Sequence, residues 1–174
     1  MNSNTKLLAI FSILIVFAGL GFLFFGFKPA SEISQPQATS FGVLVTKVID
    51  GDTFEIEDGK RVRILGVDTP ETKDPRKPVQ CFGKEASNKT KELLEGKRVI
   101  LEKDITDQDK YGRLLRFVYL PLEDGTMLFA NDYLIREGYA MVLTIPPDVK
   151  FAEQFLKAQK QARMEKRGLW QKCW

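Results

Sequence analysis

Residues 48–71, V-I-D-G-D-T-F-E-I-E-D-G-K-R-V-R-I-L-G-V-D-T-P-E, form the stretch that decides the fold. Residues 53–57 and 60–67 each alternate between apolar and polar side chains, which predicts two half-buried strands. The Asp58-Gly59 pair between them is a two-residue hairpin signal. Carboxylates stand at both ends of the stretch and Arg63 lies in its second strand, so the pattern suggests a site for a metal ion and a phosphate.

The predicted hairpin sets a trial register for these two strands. A two-residue loop pairs Glu57 with Lys60 and places Asp52 opposite Leu65. Cross-strand partners share a face of the sheet, and so do positions two apart on one strand. Asp52 is therefore expected on the same side as Leu65, and hence on the same side as Arg63. A slip of one residue would put them on opposite faces. The register is therefore a specific expectation that a structure tests.

Regular elements are predicted on both sides of this hairpin. Further strands are expected over residues 41–49, 98–102, 114–120 and, as a short one, 139–143. Helices are expected over residues 82–94, 128–137 and 148–167. Five main strands with helices between and after them predict an α+β fold built on a five-stranded, OB-type closed barrel with three helices, and not a parallel sheet.

The amino terminus differs in character from the rest of the chain. Residues 7–27 carry no charge and would span about 31 Å as a helix, close to the hydrocarbon thickness of a bilayer. We therefore predict a signal-anchor segment over residues 1–28, a flexible linker over 29–40 and a soluble domain over 41–174. The protein is expected to be exported and membrane-anchored, or secreted if the apolar segment is cleaved as a signal peptide.

The chain contains no histidine, which is its most restrictive compositional feature. Mechanisms that need an imidazole base, nucleophile or metal ligand are excluded, and two cysteines cannot complete a tetrahedral zinc site. Any chemistry must use carboxylates, Arg, Lys, Tyr or a cation with oxygen ligands. The net charge of +3 permits an anionic partner without requiring one.

The two cysteines, Cys81 and Cys173, both lie in the predicted exported domain. An even count in an oxidising compartment predicts one disulfide, although two unpaired thiols are the alternative. The bridge would close a long loop and fix the carboxyl terminus.

Several motifs together resemble the thermonuclease family, the staphylococcal-nuclease-like enzymes. The resemblance covers nearly the whole soluble domain. The motifs that carry it are D-G-D-T at 50–53, R-I-L-G-V-D-T-P-E at 63–71, F-G-K-E-A at 82–86, D-K-Y-G-R at 109–113 and G-L-W at 168–170. The spacing between the first two motifs and D-K-Y-G-R makes the resemblance specific.

The resemblance implies an OB-fold barrel that hydrolyses phosphodiester bonds of DNA and RNA with Ca²⁺ as cofactor. It implies metal ligands at Asp52, Asp68 and the backbone carbonyl of Thr69. It implies phosphate-binding arginines at Arg63 and Arg113 and a base or water-positioning carboxylate at Glu71, which are the three expected catalytic residues. It also implies substrate contacts at Lys110 and Tyr111. No protein partner is indicated, and a monomer is expected.

One segment departs from the family pattern. Residues 143–147 read L-T-I-P-P and contain no aromatic ring, whereas the family's type member stacks a nucleotide base on tyrosines there. Stacking contributes about 1 to 3 kcal/mol per base, so the absence of these rings removes one contribution to substrate affinity. The competing interpretation is a non-catalytic OB-fold module that binds nucleic acid.

Overall fold

A computed structural model of the chain describes residues 42–72 and 78–174. The predicted anchor over 1–28 and linker over 29–40 lie outside the described residues. Within the described ranges, no helix is both long enough and apolar enough to cross a membrane.

The described part of the chain contains eight strands and four helices. The strands are β1 (Val43–Asp50), β2 (Thr53–Ile56), β3 (Arg61–Ile64), β4 (Gly66–Asp68), β5 (Arg98–Glu102), β6 (Leu114–Pro121), β7 (Met127–Phe129) and β8 (Met141–Leu143). The helices are α1 (Gly83–Leu94), α2 (Ala130–Arg136), α3 (Ala152–Met164) and α4 (Leu169–Lys172).

Five of these strands form a closed barrel. Strand β1 pairs antiparallel with β2 on one side and with β5 on the other, β2 pairs with β3, and β5 pairs with β6. A parallel pairing of β3 with β6 closes the ring. The predicted five-stranded barrel with three helices, which fits an OB-type α+β fold, is confirmed.

One hydrophobic core fills the barrel and continues under the helices. The largest fully buried side chains come from the strands and from all four helices, and include Phe54, Phe117, Leu94, Leu134 and Phe155. Helices α2 and α3 therefore pack against the same core that the barrel encloses, and a smaller second cluster is formed by Ala162, Leu169 and Trp170.

The predicted hairpin register is wrong by one residue. Thr53 pairs with Arg63 and Glu55 pairs with Arg61, so Arg63 stands opposite Thr53. The cause is the turn: Ile56 donates its N–H to the carbonyl of Lys60, leaving a three-residue loop that ends in Gly59 at φ 78°. A three-residue loop with a left-handed glycine adds one residue to one strand, which shifts the pairing.

The second strand of the hairpin is also interrupted, at Leu65. Gly66 has φ 73°, and a Cβ atom there would lie 2.4 Å from the ring of Phe155. Only glycine combines this backbone conformation with so close an approach of a neighbouring ring. The bend redirects the chain from β3 into β4, which pairs with β8 and ends at Asp68.

The predicted helices are present with different limits. The segment expected to be helical from residue 128 begins as strand β7, which pairs with β6, and helix α2 starts only at Ala130. The last long helix starts at Ala152 and not at residue 148. The four-residue helix α4 was not predicted. Strand pairing with β6 sets the first of these limits, because it outweighs the helix propensity of residues 128–129.

The predicted disulfide between Cys81 and Cys173 is present, with 5.9 Å between the two Cα atoms. It joins positions 92 residues apart, and it ties the segment after α4 to the segment before α1. In the chain-entropy model a loop of this length stabilises the folded state by up to about 4 to 5 kcal/mol. The alternative of two unpaired thiols is therefore wrong for this structure.

Candidate functional site

Arg63 lies between two carboxylates that approach from different elements. Its guanidinium is 2.6 Å from Oδ2 of Asp52, in the turn before β2, and 3.3 Å from Oδ1 of Asp68, at the end of β4. Asp52 and the arginine are largely buried. The bend at Gly66 is what turns Asp68 back toward the arginine five residues earlier. Asp52 and Arg63 thus meet although the register that predicted their proximity is wrong.

The carboxylate of Asp52 is fixed by several donors. Its Oδ2 accepts hydrogen bonds from the backbone N–H and the hydroxyl of Thr69, both at 3.2 Å, in addition to the contact with Arg63. Its Oδ1 accepts the hydroxyl of Thr53 at 3.0 Å. Charge-assisted bonds of this kind hold a carboxylate in one orientation. The loop after β4 is thereby attached to the turn before β2.

A second pair of carboxyl groups, Asp50 and Glu71, borders this cluster. Oδ1 of Asp50 accepts the hydroxyl of Thr72 at 2.7 Å and the backbone N–H of Gly51 at 2.8 Å. Burial raises the pKa of Asp50, and a hydrogen bond with the Glu71 side chain acts in the same direction. Asp50 was not among the predicted site residues, although it belongs to the D-G-D-T motif. The available signal was the D-G-D string, in which the first aspartate stands two positions before Asp52.

The cluster carries more negative than positive charge. Burial raises the pKa of Asp68 above its ordinary value; Arg63 opposes this shift, whereas the charges of Asp52 and Glu71 add to it. When neighbouring negative charges disfavour the ionised form of a carboxyl group, a cation bound nearby stabilises that ionised form. The electrostatics of these carboxylates therefore suit a bound cation.

The fit to a metal ion rests on the donor set. No group of three or more acidic, histidine or cysteine side chains in the described part of the chain is arranged to hold a metal ion by itself. The predicted set needs only two such side chains, Asp52 and Asp68, because its third protein ligand is the backbone carbonyl of Thr69. Hard oxygen ligands of this type suit Ca²⁺, which accepts water and substrate oxygens at its remaining positions.

Arg113 reaches the same region from the start of β6. Its Nε donates to Oδ2 of Asp109 at 2.7 Å, and one of its terminal nitrogens donates to the hydroxyl of Thr53 at 3.4 Å. Thr53 in turn donates to Asp52, so a short chain of hydrogen bonds connects the two halves of the site. The parallel pairing of β3 with β6 explains this approach, since Arg63 pairs with Leu115. Sequence reasoning did not identify Asp109 as the partner of Arg113.

Lys110 and Tyr111 lie on the surface beside Arg113. The tyrosine is 72% exposed, and its ring centroid is 5.5 Å from the guanidinium carbon of Arg113 and 5.1 Å from Nζ of Lys110. The backbone N–H groups of Tyr111 and Arg113 both donate to Asp109, which fixes the turn that carries them. Two cations and an exposed ring thus border the approach to the site.

Both arginines, Arg63 and Arg113, line a cavity of about 360 Å³. Its lining includes Arg63 and Arg113 together with the apolar side chains of Leu115, Ile145 and Pro146. Among the described residues that line it, none is aromatic. The cavity therefore combines two cationic residues with an apolar lining.

The fold is an OB-type barrel, and its candidate site brings two arginines close to a group of carboxylates. The model of the family described as "Staphylococcal nuclease homologue" matches residues 61–172. The chain is 45% identical over 129 residues to a thermonuclease from Staphylococcus hyicus, covering 72% of this chain and 73% of that protein. This chain belongs to the staphylococcal nuclease family.

Two further relatives extend the similarity. A thermonuclease from Staphylococcus intermedius is 46% identical over 132 residues, which cover 74% of this chain and 76% of that protein. The protein named endonuclease YncB, from Bacillus subtilis (strain 168), is 39% identical over 150 residues, which cover 83% of this chain and 69% of that protein. The predicted family resemblance is confirmed.

Proposed function

We propose that this protein hydrolyses phosphodiester bonds of DNA, RNA or both in a Ca²⁺-dependent reaction. Its family and its named relatives make it a nuclease of the hydrolase class. The observation that carries the finer proposal is that Arg63 and Arg113 both line one cavity and that Arg63 contacts two carboxylates, Asp52 and Asp68.

The two arginines are proposed to bind the scissile phosphate. Each guanidinium presents donors that match phosphate oxygens, and such bonds strengthen as charge builds on those oxygens in the transition state. Arg63 and Arg113 keep their orientation through Asp52 and Asp109. Because each guanidinium is held in place by a carboxylate, little reorganisation is needed when substrate binds.

Glu71 is proposed as the general base or water-positioning group. The chain has no histidine, and Glu71 lies in the loop directly after Thr69 and Pro70, beside the carboxylates of the site. A carboxylate in this position can accept a proton from an attacking water while the arginines hold the phosphate. Proton transfer and phosphate binding are then assigned to different residues.

Ca²⁺ is the proposed cofactor, held by Asp52, Asp68 and the carbonyl of Thr69. When bound, the ion would supply positive charge against the phosphodiester and favour ionisation of a nearby water. Two carboxylates and one carbonyl are few protein ligands, so the expected affinity is weak, on the order of 10⁻⁴ to 10⁻³ M, as in extracellular sites.

Digestion of nucleic acid tests this proposal. The purified full-length chain is expected to cleave both plasmid DNA and RNA, or one of them, in about 10 mM Ca²⁺, a concentration above the expected dissociation constant. Chelation should abolish cleavage, and restoring Ca²⁺ should restore it. Binding of the same substrates without turnover in Ca²⁺ would contradict the proposal and favour a non-catalytic OB-fold module.

We further propose that the enzyme is exported and held at the outer face of the membrane through residues 7–27. The support is the uncharged length of that sequence and the disulfide, which is typical of an oxidising compartment. The mass of the cell-associated protein is expected to equal that of the uncleaved chain. A mass that lacks the apolar segment, with the protein in the medium, would instead show a secreted enzyme.

A further inference from the structure

Glu71 and Gln80 exchange two hydrogen bonds across nine positions of the chain. The backbone N–H of Glu71 donates to Oε1 of Gln80 at 2.8 Å, and the backbone N–H of Gln80 donates to the carbonyl of Glu71 at 3.0 Å. One bond therefore uses the side chain of Gln80 and the other uses its main chain. Together they attach both backbone polar groups of Glu71 to a single residue.

The backbone of Glu71 lies outside regular secondary structure. Strand β4 ends at Asp68, and no helix or strand includes residues 69–72. A strand ladder fixes the position of a side chain through its neighbours, and Glu71 does not have that support. A reciprocal pair of hydrogen bonds replaces part of it, because fixing the peptide groups on both sides of a Cα atom restricts where its side chain can point.

Gln80 is itself held by covalent and packing contacts. The next residue, Cys81, is bonded to Cys173. The carbonyl of Gln80 accepts the N–H of Gly83, the first residue of α1, at 3.0 Å. A Cβ atom added at Gly83 would lie 3.2 Å from the carbonyl oxygen of Glu71, so the start of α1 already packs against the loop.

Helix α1 is in turn fixed to the other carboxylate-bearing segment. The hydroxyl of Thr90, which is fully buried in α1, donates to the carbonyl of Gly51 at 2.6 Å. Gly51 lies between Asp50 and Asp52. The helix therefore contacts both the turn that carries these aspartates and the loop that carries Glu71, and Gln80 is anchored at the base of that helix.

We propose that Gln80 is a positioning residue for Glu71, which it holds against the carboxylate cluster through this pair of hydrogen bonds. The role assigned to Gln80 rests on the function proposed for Glu71. Gln80 does not touch the reacting atoms. Its side chain acts through the peptide N–H of Glu71, while the disulfide and α1 keep its own backbone in place.

A comparison of three variants in the full-length chain tests the kinetic consequence. Gln80→Met has nearly the same length but no acceptor, and we expect kcat to fall on the order of tenfold with KM unchanged. Gln80→Glu keeps an oxygen acceptor at the same position and should restore most of kcat. Gln171→Met, at an exposed glutamine two residues before Cys173, should behave as wild type.

Amide hydrogen exchange tests the contact without relying on activity. In Gln80→Met the amide of Glu71 should exchange at least several-fold faster than in wild type, and in Gln80→Glu it should remain protected. Unchanged kcat in Gln80→Met, or equal exchange rates at Glu71 in all variants, would overturn the positioning role. A wild-type chain that cleaves nothing would overturn the proposed nuclease activity, and the exchange rates would still report on Gln80.

Discussion

The variant Arg63→Ala is expected to lose about 10²- to 10³-fold in kcat/KM for nucleic-acid cleavage, the cost of removing one preorganised donor to a developing anion. Arg63 is the central cation of the site, because its guanidinium contacts both Asp52 and Asp68 and borders the cavity. Alanine removes the proposed phosphate ligand and leaves both carboxylates without their arginine. Steady-state kinetics in saturating Ca²⁺ measure the loss.

The neighbouring arginine provides the matched control. Arg61 lies two positions earlier on the same strand, is exposed and pairs with Glu55 at the far end of the hairpin, so Arg61→Ala should keep wild-type kinetics. Arg63→Lys keeps the charge but loses the planar fork of donors, so its activity should lie between alanine and wild type. Cleavage by Arg63→Ala within threefold of wild type would contradict the assignment.

The sequence predicted the architecture of the domain because its signals are local. Alternating strands, glycine stops and the order of elements were sufficient for the barrel and its three helices. The family motifs selected residues that the fold brings together, including Arg63 in β3 and Arg113 directly before β6, two strands that pair in parallel. These positions could be predicted because each residue lies in a motif with a chemically distinctive pattern.

The turn geometry could not be read from the same signals. Asp58-Gly59 fits a two-residue loop and also a longer loop that ends in a left-handed glycine, and the composition does not distinguish them. The choice moved the register by one residue. Asp52 and Arg63 are close together even though the register is shifted. Asp52 precedes β2, so the alternation of faces along that strand does not fix the direction of its side chain.

The supporting residues of the site were also not among those predicted from the sequence. Gln80 lies in a proline-containing segment that reads as an exposed loop, and its contact with Glu71 depends on where α1 and the disulfide place it. The Asp109 side chain accepts the backbone N–H groups of Tyr111 and Arg113 and so fixes the turn that carries both residues. The contact of Gln80 depends on tertiary structure, and no spacing rule indicates it. The contacts of Asp109 are local, within four residues of the chain, and the turn-forming tendency of aspartate was the available signal.

Asn131 is the clearest residue of this kind, and it carries the largest stability effect that we expect. It is fully buried at the start of α2. Its Oδ1 accepts the backbone N–H of Val118 in β6 at 2.8 Å, and its Nδ2 donates to the carbonyl of Leu65 at 2.7 Å. One side chain therefore satisfies two buried backbone groups, one in the barrel and one at the break between β3 and β4.

Replacing it by Asn131→Leu is expected to lower the free energy of unfolding by about 3 to 5 kcal/mol. The leucine side chain has the same number and branching of heavy atoms, but each of the two buried backbone groups loses its partner at a cost of about 1 to 3 kcal/mol. Against a typical total of about 5 to 15 kcal/mol, this is a large fraction. Urea unfolding of wild type and variant, followed by tryptophan fluorescence, measures the difference.

The control for this loss is Asn88→Leu, the same substitution at an exposed position of α1. It should change the free energy of unfolding by no more than about 0.5 kcal/mol, because in the described part of the chain no buried polar group forms a hydrogen bond with its side chain. Leu65 lies between Arg63 and the bend at Gly66, so the hydrogen bond from Asn131 to its carbonyl also holds the junction between β3 and β4. If Asn131→Leu were as stable as Asn88→Leu, the two backbone groups would have found other partners and the bridging role of Asn131 would be wrong.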